Sequence, residues 1–68
     1  MNGKELIRKV TKLGRKKGDH VYVNADRGKG GHQTLYYNDR HSVIPTGEIR
    51  KGLLYRICKQ LNINPKEL

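Results

Sequence analysis

The apolar residues of this chain change their spacing twice, and that change limits the fold more than any other feature of the sequence. Over 3–16, Leu6, Ile7, Val10 and Leu13 recur at three- and four-residue intervals, the stripe of an amphipathic helix. Arg8, Lys9, Lys12, Arg15 and Lys16 lie away from it, and Gly18 supplies a stop. The spacing then drops to two. Over 19–24, Val21 and Val23 point one way while His20, Tyr22 and Asn24 point the other, which predicts a half-buried strand. Over 32–37, Leu35 and Tyr37 share one face; His32, Thr34 and Tyr36 share the other. A third strand over 41–45 carries Val43 and Ile44, and parity leaves open which of the two faces the core. Pro45, without an amide donor, ends it. Helical spacing returns over 51–61, where Leu54, Ile57, Cys58 and Leu61 form a stripe that Leu53 widens.

The breaks between these segments are short. Ala25 to Gly31 contains three glycines and two basic residues and reads as a loop. Asn38-Asp39-Arg40 reads as a tight hairpin connection. After the second helix, Asn64 can cap a last turn, with Pro65 at its first position and Glu67 at its third. The order is helix, three strands, helix. Short connections predict an antiparallel meander, and both helices can bury their stripes on one sheet face. The fold class is therefore α+β, an α-β-β-β-α domain like the double-stranded-RNA-binding type, with the other sheet face left open. That face carries His20, Tyr22, His32, Thr34 and Tyr36.

With 68 residues, 34% of them apolar and neither Trp nor Phe, the chain reads as one domain over 1–68 with a small core. Such a core does not enclose a large cofactor, and none is expected. Cys58 has no cysteine to pair with and falls in the helical stripe, which fits a small core residue in a reducing cytoplasm. No signal-peptide pattern and no apolar run near the length of a membrane span are present.

Charge points to the partner. Fifteen Lys and Arg oppose six acids, for a net charge of +9. Nine of the fifteen precede residue 30, where only Glu5, Asp19 and Asp26 oppose them. A field of that sign collects polyanions, nucleic acid first among them.

Most catalytic chemistries find no footing. No helix carries paired metal ligands and there is no Cys-x-x-Cys, so no metal site is expected. Gly28-Lys29-Gly30-Gly31 fails as a phosphate loop: Gln33 stands where a dinucleotide fingerprint needs its third glycine, and a strand follows instead of a helix. Histidine remains. With an ordinary pKa near 6.5, it can exchange a proton at neutral pH. Metal-free RNA cleavage needs this: a base takes the proton of a ribose 2′-hydroxyl, and an acid protonates the leaving 5′-oxygen. Cations beside the phosphate stabilise the developing charge, and Lys29 and Arg40 are the nearest along the chain to His32. His20 opens the first strand and His41 the third, and both rank below His32.

The stretch from Lys29 to Arg40, with Gly30-Gly31-His32-Gln33-Thr34-Leu35-Tyr36-Tyr37, resembles the central motif of the HicA family of mRNA-cleaving toxins. Pro45, Glu48 to Gly52, and Leu53 to Leu61 resemble that family's ending, and Gly3 to Ile7 its opening. The family's histidine follows Gly-Ser; here Gly31 stands in the serine position. The resemblance implies that His32 is catalytic and that cleavage of mRNA is independent of metal and ribosome. It also implies a HicB-type antitoxin that masks the site. On this reading Lys9, Lys12, Lys16, Lys29, Arg40, Arg50 and Lys51 hold phosphates, and Tyr36 or Tyr22 stacks a base. Two other readings remain: a non-catalytic module that recognises duplex RNA by shape, and a protein whose charge serves only to hold an acidic partner.

Overall fold

The computed structural model describes residues 1–24 and 32–68. Its order is α1 (Gly3–Lys17), β1 (Val21–Asn24), β2 (Gln33–Tyr37), β3 (Arg40–Ile44), α2 (Lys51–Leu61) and a closing 3-10 turn (Pro65–Glu67). The strands form one antiparallel sheet in the order β1-β2-β3. This is the α+β arrangement that the periodicity predicts.

Local chemistry sets the ends. The Asn2 side chain accepts from the Glu5 amide at 2.8 Å and caps α1. Gly18, at φ 77°, closes the helix, and the Asp19 amide donates back to the Gly14 carbonyl at 2.7 Å. Asp19 therefore belongs to the helix cap, and β1 starts at Val21 rather than at residue 19. The hairpin loop is two residues long. Asn38 takes φ 58°, a conformation its short amide side chain tolerates, and its Oδ1 accepts from the His20 amide at 3.0 Å. Arg40 is thereby part of β3, and β3 stops at Ile44, one residue before Pro45. At the closing turn Asn64 caps and Pro65 leads, as predicted.

One face of the sheet holds the core. Leu35, Tyr37 and Ile44 are buried there against Leu6, Val10 and Leu13 of α1 and Ile57, Cys58 and Leu61 of α2. Ile44 faces inward and Val43, 55% exposed, faces out, which settles the parity of β3. Leu53 is exposed and does not widen the α2 stripe; Ile49 and Ile63, outside both helices, complete the core instead.

The ends of the sheet differ. At one end Ile44 leads into Pro45, whose carbonyl lies where a Cβ on Gly3 would sit, so α1 begins directly against that turn. The Ile49 amide donates to the Met1 carbonyl at 2.7 Å, which brings the start of α2 to the same end. The hairpin, Gly18 and the C-terminus of α2 occupy the other end.

Candidate nucleic-acid interface

The sheet face without helices carries an aromatic row. Register pairs Tyr22 with Tyr36 and Tyr36 with His41, one residue from each strand. The tyrosine rings stack with centroids 4.7 Å apart and planes within 7°. The His41 ring follows at 5.6 Å, tilted by 37°. Tyr36 is thus flanked by a ring on each side and half-buried, whereas Tyr22, on an edge strand, is 60% exposed. Tyr36 cannot offer a free ring face to a base; of the two tyrosines only Tyr22 can. His41 joins the row because a two-residue hairpin loop pairs Tyr37 with Arg40 and so Tyr36 with His41. Closing the hairpin on Asn38-Asp39 is the sequence signal that finds it.

His32 is exposed and lies one residue before β2, beyond the Gln33–Ile44 pair. The alternation of β2, extended by that residue, assigns His32 to the side of Thr34 and Tyr36. Four residues separate it from the aromatic row, roughly 13 Å along the strand.

The basic residues singled out in the sequence divide among separate surfaces. Arg50 is the N-cap residue of α2 and Lys51 its first residue, both exposed at the sheet end where His32 lies. Arg40 lies elsewhere. It pairs with Tyr37 at the hairpin end and shares the helix-side parity of Ser42 and Ile44. That puts it on the opposite face from His32 and roughly 17 Å away along the strands, because β2 runs the full length of the sheet between them. Arg40 therefore does not stand beside a phosphate at His32. Lys9, Lys12 and Lys16 line a groove of the helix layer with Leu13, Glu67 and Leu68. Lys9 lies 4.0 Å from Glu5, and Lys17 binds Glu67 at 2.9 Å. Among the described residues no carboxylate pairs with Lys12 or Lys16. Lys29 lies outside the described residues.

A polar cluster at the hairpin end is not apparent from the sequence. The Tyr37 hydroxyl donates to Asp19 Oδ2 at 2.5 Å. That bond, then one with the Asn38 side chain, holds the Asp19 carboxyl below the usual carboxylate range, against an opposing effect of burial. Burial, with Asp19 beside it, pushes the Tyr37 hydroxyl up to about 12. Burial also raises the Cys58 thiol, which suits a packing role and not a nucleophilic one.

Among the described residues no group of three His, Cys, Asp or Glu side chains is arranged to hold a metal ion, and no helix is long and apolar enough to cross a membrane. Comparison with protein-family models, with curated proteins and with solved structures returns no match for this chain.

Proposed function

We propose that this protein is an RNA endonuclease of the HicA kind, the toxin of a toxin–antitoxin pair, with His32 as the proton-moving group and a HicB-type antitoxin as its inhibitor. The observation that carries the reading is the exposed His32 at one end of a helix-free sheet face, with Arg50 and Lys51 at that same end and an aromatic row farther along it. The net charge of +9 draws the polyanion to the surface.

In the proposed step His32 takes the proton of a ribose 2′-hydroxyl. The 2′-oxygen forms a bond to the adjacent phosphorus, and the bond from phosphorus to the 5′-oxygen breaks. The leaving 5′-oxygen takes up a proton from water, and the products are a cyclic phosphate and a free 5′-hydroxyl. A single positioned acid or base contributes about 10²- to 10⁴-fold. Nearby cations add to that by stabilising charge on the phosphate oxygens.

A shape-reading module for duplex RNA is the second reading, and one observation favours it: the Lys9, Lys12 and Lys16 groove belongs to the helix layer, away from His32. His32→Ala separates the two. The expected result is loss of cleavage of a single-stranded RNA by at least about a hundredfold, with binding nearly unchanged. Full cleavage by the variant sinks the catalytic role of His32. Binding without cleavage by the unmodified protein favours the module.

A further inference from the structure

We infer that the outer face of the Tyr22 ring is the seat of one unpaired nucleobase, so that the sheet face takes single-stranded RNA and not duplex. The inference rests on the reading above only for the kind of polymer, not for its cleavage.

The aromatic row has a direction. Tyr36 has Tyr22 stacked on one side at 4.7 Å and His41 on the other at 5.6 Å. Among the described residues Tyr22 has one stacked neighbour, and it belongs to β1, an edge strand of the sheet. Its exposure of 60% is the largest among the bulky apolar side chains. The row therefore ends in an open aromatic face. A planar base laid there continues the Tyr22–Tyr36 stack, beyond which the tilted His41 ring lies. Phenol rings give no hydrogen-bond code to such a face, so it selects for a free π-surface and not for a particular base.

Duplex RNA cannot use this seat. Its bases present edges in the grooves and their faces are covered by neighbouring pairs, so a stacked contact requires a base that has left the helix. The spacing fits a strand that passes on to the proposed cutting site. His32 lies one residue before the adjoining strand, roughly 13 Å farther along, a span that a few extended nucleotides cover. The register row between the aromatic row and His32 runs Asn24, Thr34, Val43, and the direct line from Tyr22 to His32 passes the first two, both polar.

The experiment measures binding to full-length protein carrying His32→Ala, so that RNA stays intact. Three probes are compared: a short oligouridylate, a ribose-phosphate strand of the same length without bases, and an RNA duplex closed at both ends by linkers that carry no bases. Tyr22→Thr, which keeps a β-branched residue in β1, is expected to weaken oligouridylate roughly five- to a hundredfold and to leave the abasic strand and the duplex unchanged. Tyr22→Phe, which keeps the ring, is expected to bind all three like its parent. Equal loss for all probes, or no loss with Tyr22→Thr, overturns the seat. Where Tyr22→Thr disturbs the sheet, Tyr22→Trp is read instead. Tighter oligouridylate binding then supports the seat, and unchanged binding overturns it. The two proposals fail separately. Absent cleavage with a persistent Tyr22 dependence removes the enzyme and keeps the seat; His32-dependent cleavage indifferent to Tyr22 does the reverse.

Discussion

Tyr37 and Asp19 meet across the hairpin end of the sheet, the phenol hydroxyl donating to the carboxylate at 2.5 Å. Tyr37 comes from the core face of β2, and Asp19 follows the Gly18 that closes α1. The bond therefore ties the end of the first helix to the middle strand. It also makes stability depend on pH in two windows. The Asp19 carboxyl is held low, so its contribution is present above the ordinary carboxylate pKa and is lost as pH falls through the lower folded value. The Tyr37 hydroxyl is raised from 10.0 to about 12, so its contribution is complete below pH 10 and is lost as pH climbs from there to about 12. Tyr37→Phe keeps the ring, removes the alkaline dependence and removes the largest cause of the acid one, leaving the Asn38 contribution to Asp19. The expected outcome is that the variant unfolds more easily than the parent between the two windows. The difference narrows in strong acid and again above pH 10. Denaturant midpoints across pH measure this, and a difference that stays constant refutes it.

Gly14 makes the contact between α1 and β1 testable. It is buried, and a Cβ on it would lie 2.2 Å from Val21 Cγ2. In an exposed helix, Gly→Ala would stabilise by about 1 kcal/mol. Here overpacking of about 1–3 kcal/mol opposes that gain. Gly14→Ala is therefore expected to be neutral at best and to destabilise by up to about 2 kcal/mol. Val21→Ala should remove the clash. In a double-mutant cycle the pair should cost at least about 0.5 kcal/mol less than the sum of the single changes. Strict additivity shows that the helix has moved away from the strand.

Ser42 offers a milder case. It is buried at 3% exposure, and its hydroxyl donates to Gln60 Oε1 at 2.5 Å, joining β3 to α2. Gln60 is exposed, so water can replace the lost partner. Ser42→Ala should cost about 0.5–1.5 kcal/mol by thermal or denaturant unfolding. Ser42→Val should cost more, because one methyl takes the place of the hydroxyl and a second must fit between strand and helix.

What was legible in the sequence follows from where period alone decides. The stripes of Leu6, Val10 and Leu13 and of Ile57, Cys58 and Leu61 read correctly because a helix face repeats over several turns. Val43 and Ile44 were not assignable, since two adjacent apolar residues satisfy either parity; the two-residue hairpin loop decides, and it turns Ser42 and Ile44 inward. That same register carries His41 to Tyr36 and sends Arg40 to the helix side, neither of which period reveals. Leu53 failed as a core residue because helical spacing does not tell a stripe from its margin, and Ile63 enters the core only after Asn62, at φ 61°, turns the chain back. In the candidate site, the exposure of His32 was legible. The division of the cations among three surfaces was not, because it depends on which ends of the elements meet.

That division yields the last prediction. Arg50 and Lys51 lie at the sheet end where His32 stands, pinned there by the Ile49 amide on the Met1 carbonyl. Lys12 and Lys16 line the helix-layer groove and belong to another surface. If charge near the phosphate assists the reaction, the pairs should differ in kind as well as degree. Arg50→Ala with Lys51→Ala is expected to lower kcat of RNA cleavage about tenfold, a loss of about 1.4 kcal/mol in the transition state. Lys12→Ala with Lys16→Ala should leave kcat unchanged and act only on binding. Each phosphate contact it removes should reduce the slope of log affinity against log salt by about 0.7 for a single strand. Single-turnover rates at saturating RNA, with salt titrations of binding alongside, separate the two effects. Equal falls in kcat for both pairs mean that one continuous cationic surface serves the reaction, against the separation argued from the helix and sheet ends.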